Sequence, residues 1–247
     1  MKPKDRQREI VELVDHRGEA SVDDLALAFD VSPETIRRDL AVLAEAGALQ
    51  KVHGAARRMR FLGEGSFAER MMDHAGAKAE IARKLIAHIR PGETILMDTG
   101  TTTLAASAAL ASVPGLTVVT NSVRIAQAMG GAEVLLLGGR YRADNGQTVG
   151  PETIAQIAQF QADAAVLTVT AIDEAAGAMD ADLEEAQIAR AMRNHARRCI
   201  VLAHGAKFGK SAAHRICPLS EMDVLVCDVL PEPSFVAAVA EHGGTVC

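Results

Sequence analysis

Gly100-Thr101-Thr102-Thr103 sets three hydroxyls and a run of backbone amides at one point of the chain. It lies directly behind the apolar run Thr94-Ile95-Leu96-Met97 and the carboxylate of Asp98. A strand that empties through glycine and threonines into a helix makes a corner where N–H groups converge and the helix dipole favours negative charge. The chemistry of such a corner is anion binding. No Gly-Lys-Ser/Thr follows, so it is not a loop that grips a nucleoside triphosphate for hydrolysis. A helix that is only N-capped accounts for one of these threonines, not for three beside a glycine.

Residues of matching chemistry recur wherever an apolar run ends. Asn121 follows 116–120, Gly138, Gly139 and Arg140 follow 133–137, Asp173 follows 164–170, and Lys207 follows 199–203. Together with further short runs at 224–227 and 245–246, these alternate with helical stretches such as 78–89, 101–112 and 183–196. That alternation predicts an α/β domain built on a mostly parallel sheet. Ligands of such sheets sit outside the carboxyl ends of the strands, so the named residues are expected to converge on one pocket. Thr hydroxyls, glycine amides and Lys207 suit a phosphate, while Asp98, Asn121 and Asp173 suit sugar hydroxyls. Lys78, ahead of the first strand, either adds positive charge there or is a surface helix residue. Arg140 and Arg142 either serve the ligand or pair with Asp144 in a solvated loop. Asp98, Asp173, Asp180 and Glu185 are carboxylates of the kind used in proton transfer, which keeps an enzyme in view.

The other chemistry-bearing segment is Val31-Ser-Pro-Glu-Thr-Ile-Arg-Arg-Asp-Leu40. Ser32 is a good N-cap, and Pro33 stands where a first helical residue loses no hydrogen bond. Ile36, Leu40 and Leu43 form an apolar stripe, which leaves Thr35, Arg37 and Arg38 to face outward near the helix N-terminus. That is how a recognition helix meets DNA. Helical patterns at 5–17 and 22–29 precede it, and two short strands flanking His53-Gly54 follow it. Three helices and a hairpin describe a winged helix-turn-helix, whose wing offers Lys51, His53, Arg57 and Arg58 to phosphates. Residues 31–60 carry six Lys/Arg against three Asp/Glu, while residues 1–60 as a whole are balanced. The positive charge is focused where a duplex would lie.

Composition sets the frame. A chain of 247 residues is far longer than one winged helix, so a second domain follows. With 49 % hydrophobic but 3 % aromatic residues, its core is built from Ala, Val, Leu and Ile, which suits a sheet covered by helices. The expected division is 1–59 for the DNA-binding domain, 60–75 for a linker and 76–247 for the sensing domain. The net charge of −6 speaks against non-specific coating of nucleic acid. The four cysteines lack metal or redox spacing, and no leader or membrane span is read, which fits the cytoplasm.

The segment 31–40, followed by Leu43, Gly47, Leu49 and His53-Gly54-Ala55-Ala56, resembles the N-terminal domain of the DeoR family of bacterial transcriptional regulators. Lys78 with Ile81-Ala82, the run 98–103, Val119-Thr120-Asn121-Ser122, Leu137-Gly138-Gly139 and Lys207-Phe208-Gly209 resemble that family's effector domain. The resemblance implies a fold related to ribose-5-phosphate isomerase that binds phosphorylated sugars or polyols. It implies phosphate contacts for Gly100, Thr101, Thr102, Thr103 and Lys207, and ligand contacts for Asp98, Asn121 and Gly139. Two positions depart from the family pattern. Ala55 stands where a second glycine is usual, a strain of about 1 kcal/mol if φ there is positive. His204-Gly205-Ala206 replaces an Asp-Ser/His-Ser sequence before the lysine, removing a carboxylate and a hydroxyl; His204 is either a titratable donor or a rim residue. The function so implied is repression of a carbohydrate or polyol catabolic operon, controlled by a phosphorylated sugar or polyol. The expected protein is a homo-oligomer, a dimer or tetramer, that uses no cofactor or metal and is not an enzyme. The alternative is a sugar-phosphate isomerase-like enzyme with a DNA-binding appendage.

Overall fold

The computed structural model describes residues 3–17, 19–45, 49–52, 55–58 and 66–247. Among these, the side chains of 15–17, 45, 50–52, 57 and 58 are not described. The chain divides into two compact units, Met1–Arg60 and Phe61–Cys247.

The first unit runs α1 (Pro3–Arg17), β1 (Glu19–Ser21), α2 (Val22–Phe29), α3 (Pro33–Glu45), β2 (Leu49–Val52) and β3 (Ala55–Arg58). Ser21 caps α2 by accepting the Asp24 N–H at 3.0 Å, and Asp30 stops it in the left-handed region at φ 50°. Asp is among the few side chains that tolerate that conformation, and here it produces the tight turn into α3. Ile36, Leu40 and Leu43 of α3 are buried against Ile10 and Val14 of α1 and Leu25 of α2. The strands form an antiparallel sheet in the order β1-β3-β2. The short strand β1 was not expected; it completes the hairpin's outer edge. One feature was illegible from pattern: Arg6 is buried, donating from Nε to Asp39 Oδ2 at 2.6 Å, with Gln7 Nε2 donating to Asp39 Oδ1 at 2.9 Å.

In the second unit come α4 (Phe67–Met72), α5 (Ala75–Leu85), β4 (Thr94–Met97), α6 (Thr101–Leu110), β5 (Thr117–Thr120), α7 (Val123–Ala128) and β6 (Glu133–Leu136). Then follow β7 (Arg140–Arg142), β8 (Gln147–Val149), α8 (Pro151–Ile157), β9 (Ala164–Thr168), β10 (Ala171–Asp173), β11 (Gly177–Asp180) and α9 (Leu183–Asn194). The chain closes with β12 (Cys199–Leu202), β13 (His214–Cys217), β14 (Val224–Val226), α10 (Pro233–Glu241) and β15 (Thr245–Val246). Seven strands make one parallel sheet in the order β15-β14-β12-β9-β4-β5-β6. These are the seven apolar runs of the sequence. The inner strands read as continuous apolar runs because both their faces are covered, whereas Leu135 and Leu136 of the edge strand β6 are exposed. Ile95, Met97, Val118, Val166, Ile200 and Leu202 pack on Ile81, Leu85, Leu110 and Ile125 of α5, α6 and α7. Leu96, Val119, Ala165, Leu167, Val201 and Leu225 pack oppositely on Ile157, Ile188, Met192 and Val239 of α8, α9 and α10. Beside this sheet, β10-β11-β13 form a small antiparallel sheet and β7-β8 a hairpin. Among the described residues no helix is long and apolar enough to cross a membrane.

Removing one partner of a buried ion pair strands the other charge. Asp39→Ala is therefore expected to destabilise the first unit by about 3–5 kcal/mol, and Arg6→Met/Asp39→Leu by much less. Amide hydrogen exchange of α1 and α3 in the full chain measures both; equal protection in Asp39→Ala and the parent would show that the pair is not structural.

Candidate functional site

Two sets of residues carry the chemistry, one in each unit. In the first, burial of Ile36 and Leu40 leaves Ser32, Pro33, Arg37 and Arg38 exposed, with Thr35 half-buried. Ser32 Oγ accepts the Thr35 N–H at 3.2 Å and lies 2.9 Å from Thr35 Oγ1, so the helix start is closed by its own side chains. Arg37 donates from Nη1 to Glu34 Oε2 at 3.1 Å on the surface. An exposed pair of this kind is worth little and exchanges readily for a phosphate. His53 lies outside the described residues. Lys51, Arg57 and Arg58 belong to the β2–β3 hairpin by backbone pairing, and their side chains lie outside the described set.

In the second unit, a cavity of about 300 Å³ opens beyond the carboxyl ends of β4, β9 and β12. Arg70 and Asp73 come from the end of α4, His74 and Lys78 from the start of α5, and Thr101 from the first turn of α6. Thr170 follows β9, and His204, Ala206, Lys207 and Lys210 follow β12. Four cationic side chains face one carboxylate. The capping box of α4, in which Ser66 and Glu69 satisfy each other's amides, fixes the helix that carries Arg70. Lys78 is buried; its Nζ donates to the carbonyls of Arg70 and, at 2.6 Å, Asp73, which ties α4 to α5. Lys207 Nζ donates to the Val169 carbonyl beyond β9. His74 and His204 stack with ring centroids 4.4 Å apart. Burial, then the neighbouring Lys207, His74 and Lys78, pull the His204 imidazole down to about 4, with Asp228 opposing. Its Nδ1 is buried with no hydrogen-bond partner among the described residues.

The residues named from the sequence do not all converge. Lys78, Thr101 and Lys207 line the cationic cavity. Asp98 and Asn121 line a separate narrow cleft with Thr99, Gln147, Asp180 and Glu185. Asn121 there donates to Gln147 Oε1 at 3.2 Å and the Thr148 carbonyl at 2.9 Å, so it ties β5 to β8. Asp98 accepts the Thr168 N–H at 2.9 Å; its burial raises the carboxyl well above the usual range against that bond, and Asp180 and Glu185 raise it further. Burial likewise raises Glu185. Thr102 and Thr103 are buried in the first turn of α6, where Thr103 Oγ1 donates to the Asp98 and Gly100 carbonyls. Gly100 answers a packing need, because a Cβ would lie 2.4 Å from Thr168 Oγ1. At Gly139, with φ +144°, a Cβ would meet Thr153 Oγ1 at 2.1 Å. Gly138 donates its N–H to Gln156 Oε1 at 2.9 Å. Arg140 pairs with Glu184 on the surface, Arg142 bridges Asp182 and Asp144, and Asp173 accepts the Ala176 N–H in the β10–β11 turn.

Strand order explains the split. The loop after β6 lies four strands from β12, or ~19 Å at ordinary spacing. Arg70, His74 and Lys210 were missed because 60–75 reads as a linker and Lys210 as loop surface. The signal present was Ser66-x-x-Glu69, a helix start that puts Arg70 on an ordered turn, with His74 and Lys78 at i and i+4.

Residues 73–229 match the DeoR C terminal sensor domain, and residues 6–60 the DeoR-like helix-turn-helix domain. The chain is 33 % identical over 229 residues to the HTH-type transcriptional repressor CsqR of Escherichia coli, covering 92 % of this chain and 88 % of that one. It is 31 % identical over 245 residues to the glycerol-3-phosphate regulon repressor of the same organism, covering 98 % and 97 %. Among solved structures, the tetrameric eIF2B-beta2-delta2 complex from C. thermophilum is similar at 13 % identity and a TM-score of 0.50, over 98 % of this chain and 95 % of that one. Ribose 5-phosphate isomerase A from Methanocaldococcus jannaschii aligns at 14 % identity and a TM-score of 0.42, over 56 % of each chain.

A histidine held neutral in the folded chain but free to charge in the unfolded one favours folding above its ordinary value. That contribution is lost as pH falls from about 6.5 toward about 4, by roughly 3 kcal/mol in all. His204→Asn is expected to lack this part of the acid destabilisation. Unfolding midpoints of both proteins at stepped pH values measure it; parallel curves would mean that His204 is not held neutral by its surroundings.

Proposed function

This chain belongs to the DeoR family of DNA-binding transcriptional repressors, and on that premise we propose that a phosphorylated sugar or polyol fills the cationic cavity and controls operator binding. The cavity carries the reading. Arg70, Lys78, Lys207 and Lys210 around Thr101, at the open N-terminus of α6, match a phosphoryl group in charge and in donors. Lysines serve here as point charges on a compact dianion, while the Thr101 hydroxyl and the α6 amides supply directed donors. Asp73 and Thr170 offer partners for hydroxyls. The match to repressors along nearly the whole length, 98 % of this chain in one case, supports sensing rather than turnover as the role of this unit.

The exposed edge of α3, with Ser32, Pro33, Thr35, Arg37 and Arg38, is proposed to enter the major groove. The β2–β3 hairpin, with Lys51, His53, Arg57 and Arg58, is proposed to track phosphates. One winged helix reads too few base pairs for a specific site, so we infer a homo-oligomer acting on the genome in the cytoplasm. The regulated genes are those of carbohydrate or polyol catabolism. Effector control requires that the ligand bind one arrangement of the oligomer more tightly than the other.

Arg37→Ala and Arg38→Ala are each expected to weaken operator binding. The one that reads a base costs about 1–3 kcal/mol and relaxes preference at that position; the one on a phosphate lowers the salt slope by about one. Fluorescence anisotropy over a salt series with operator and scrambled DNA measures this, and unaltered binding by the double variant would reject α3 as the recognition helix. Lys207→Ala and Thr101→Val are expected to keep operator affinity while losing both the thermal shift given by phosphorylated sugars and the release from DNA. A full response in both variants would rule the cavity out as the sensor.

A further inference from the structure

The stacked imidazoles are the part of the cavity that phosphate recognition alone does not explain. His74 occupies the N-cap position of α5 in the left-handed region, at φ 52°, yet its side chain makes no capping bond. Its ring lies instead on that of His204. A non-glycine residue in that conformation is strained, and strain of this kind persists where the surroundings over-determine it. His204 is 8 % exposed, lines the cavity, and keeps a buried Nδ1 without a partner. A buried polar atom left unmade is costly, and its natural completion is a group that enters the cavity.

The charges facing His204 come from every element packed around it. Lys207 lies in its own segment, and His74 and Lys78 come from α5. Asp228, after β14, faces it too, with Oδ1 already accepting the Gly205 N–H at 2.8 Å. Asp73 stands beside His74, its Oδ2 3.5 Å from Nε2, and Arg70 and Lys210 line the same cavity. With the cavity empty, this surround is net positive and expels a further proton. A doubly charged ligand offsets two of those charges and offers an acceptor, which reverses the preference.

We propose that an anion enters this cavity together with one proton, taken from solvent by His204 where it stacks on His74, so that an imidazolium N–H becomes a donor to the ligand. The inference rests on the reading of the cavity as the effector site. It makes the sensor selective for doubly charged anions over neutral polyols. It also makes affinity rise as pH falls, because the complex holds more protons than the empty protein.

Inorganic sulfate is the probe, since it keeps its double charge where a phosphate monoester begins to titrate. Isothermal titration of the full chain, in buffers of different ionisation enthalpy, counts the protons taken up. The expected result is an uptake approaching one proton per sulfate near about pH 6, with Kd tightening roughly tenfold between about pH 7.5 and about pH 5.5. His204→Asn is expected to show no uptake and a flat profile. Saturable sulfate binding that is lost in Lys207→Ala but takes up no proton in the parent chain would overturn the inference and leave the cavity reading standing. So would equal uptake by parent and His204→Asn. Absence of saturable sulfate binding, or equal binding by Lys207→Ala, would overturn the cavity reading and the inference with it. Absence of uptake in the parent chain overturns the inference without any variant, and His204→Gln takes the place of His204→Asn should the latter fail to fold.

Discussion

Two ammonium groups, Lys78 buried and Lys207 half-buried, hold the sensing end of this molecule together. Lys78 bonds to the carbonyls that end α4, and Lys207 bonds to the carbonyl that follows β9. A charge removed from water requires such partners, and the backbone supplies them at points where helices and strands stop. The result is that segments far apart in sequence, 66–78, 101, 169–170 and 204–210, are pinned around one positive hollow. That hollow exists because the parallel sheet is covered on both faces, so the only backbone groups left open to a ligand lie at the strand ends.

Polar groups near the hollow divide into two kinds. Asn121, Asp98 and Thr103 are consumed in ties between neighbouring strands and turns. Thr101, His204 and Lys210 line the open volume, and Lys78 and Lys207 do both, lining it while their ammonium groups bond to carbonyls. The first kind sets where the loops stand, and the second presents charge. A coupling of about 1–3 kcal/mol between effector and operator is enough for regulation. One charge-assisted hydrogen bond made in only one arrangement supplies about 1.5–3 kcal/mol. A single lysine contact that differs between states is thus sufficient for a sensor of this design.

The DNA-binding unit follows a different economy. Among the described residues its core is eleven aliphatic side chains, and the pair Arg6–Asp39 adds a polar tie between the first and third helices. Buried ion pairs contribute little net stability but penalise alternative packings, since a misplaced helix strands a charge. A helix proposed to present Arg37 and Arg38 to DNA benefits from that penalty.

Much of this protein was determined by the sequence alone. The helix stripe Ile36, Leu40 and Leu43 dictated which side of α3 faces out, because period and burial leave one solution. The seven apolar runs became the seven parallel strands, and the inner ones, buried on both sides, cannot alternate. Five short strands, β7, β8, β10, β11 and β13, were not legible. Each is three or four residues long, several carry charges, and their pairing depends on neighbours that only the packed sheet provides. Lys78, Thr101 and Lys207 could be placed at one end of the sheet from their positions after or before strands. Their company could not. Strand order, which sequence period does not encode, sent Gly139 and Arg140 away to the far edge. The segment 67–72 reads as a short amphipathic helix from the sequence, but only packing brought its Arg70 to the cavity and set His74 on His204, because tertiary contacts alone decide which loops share a wall.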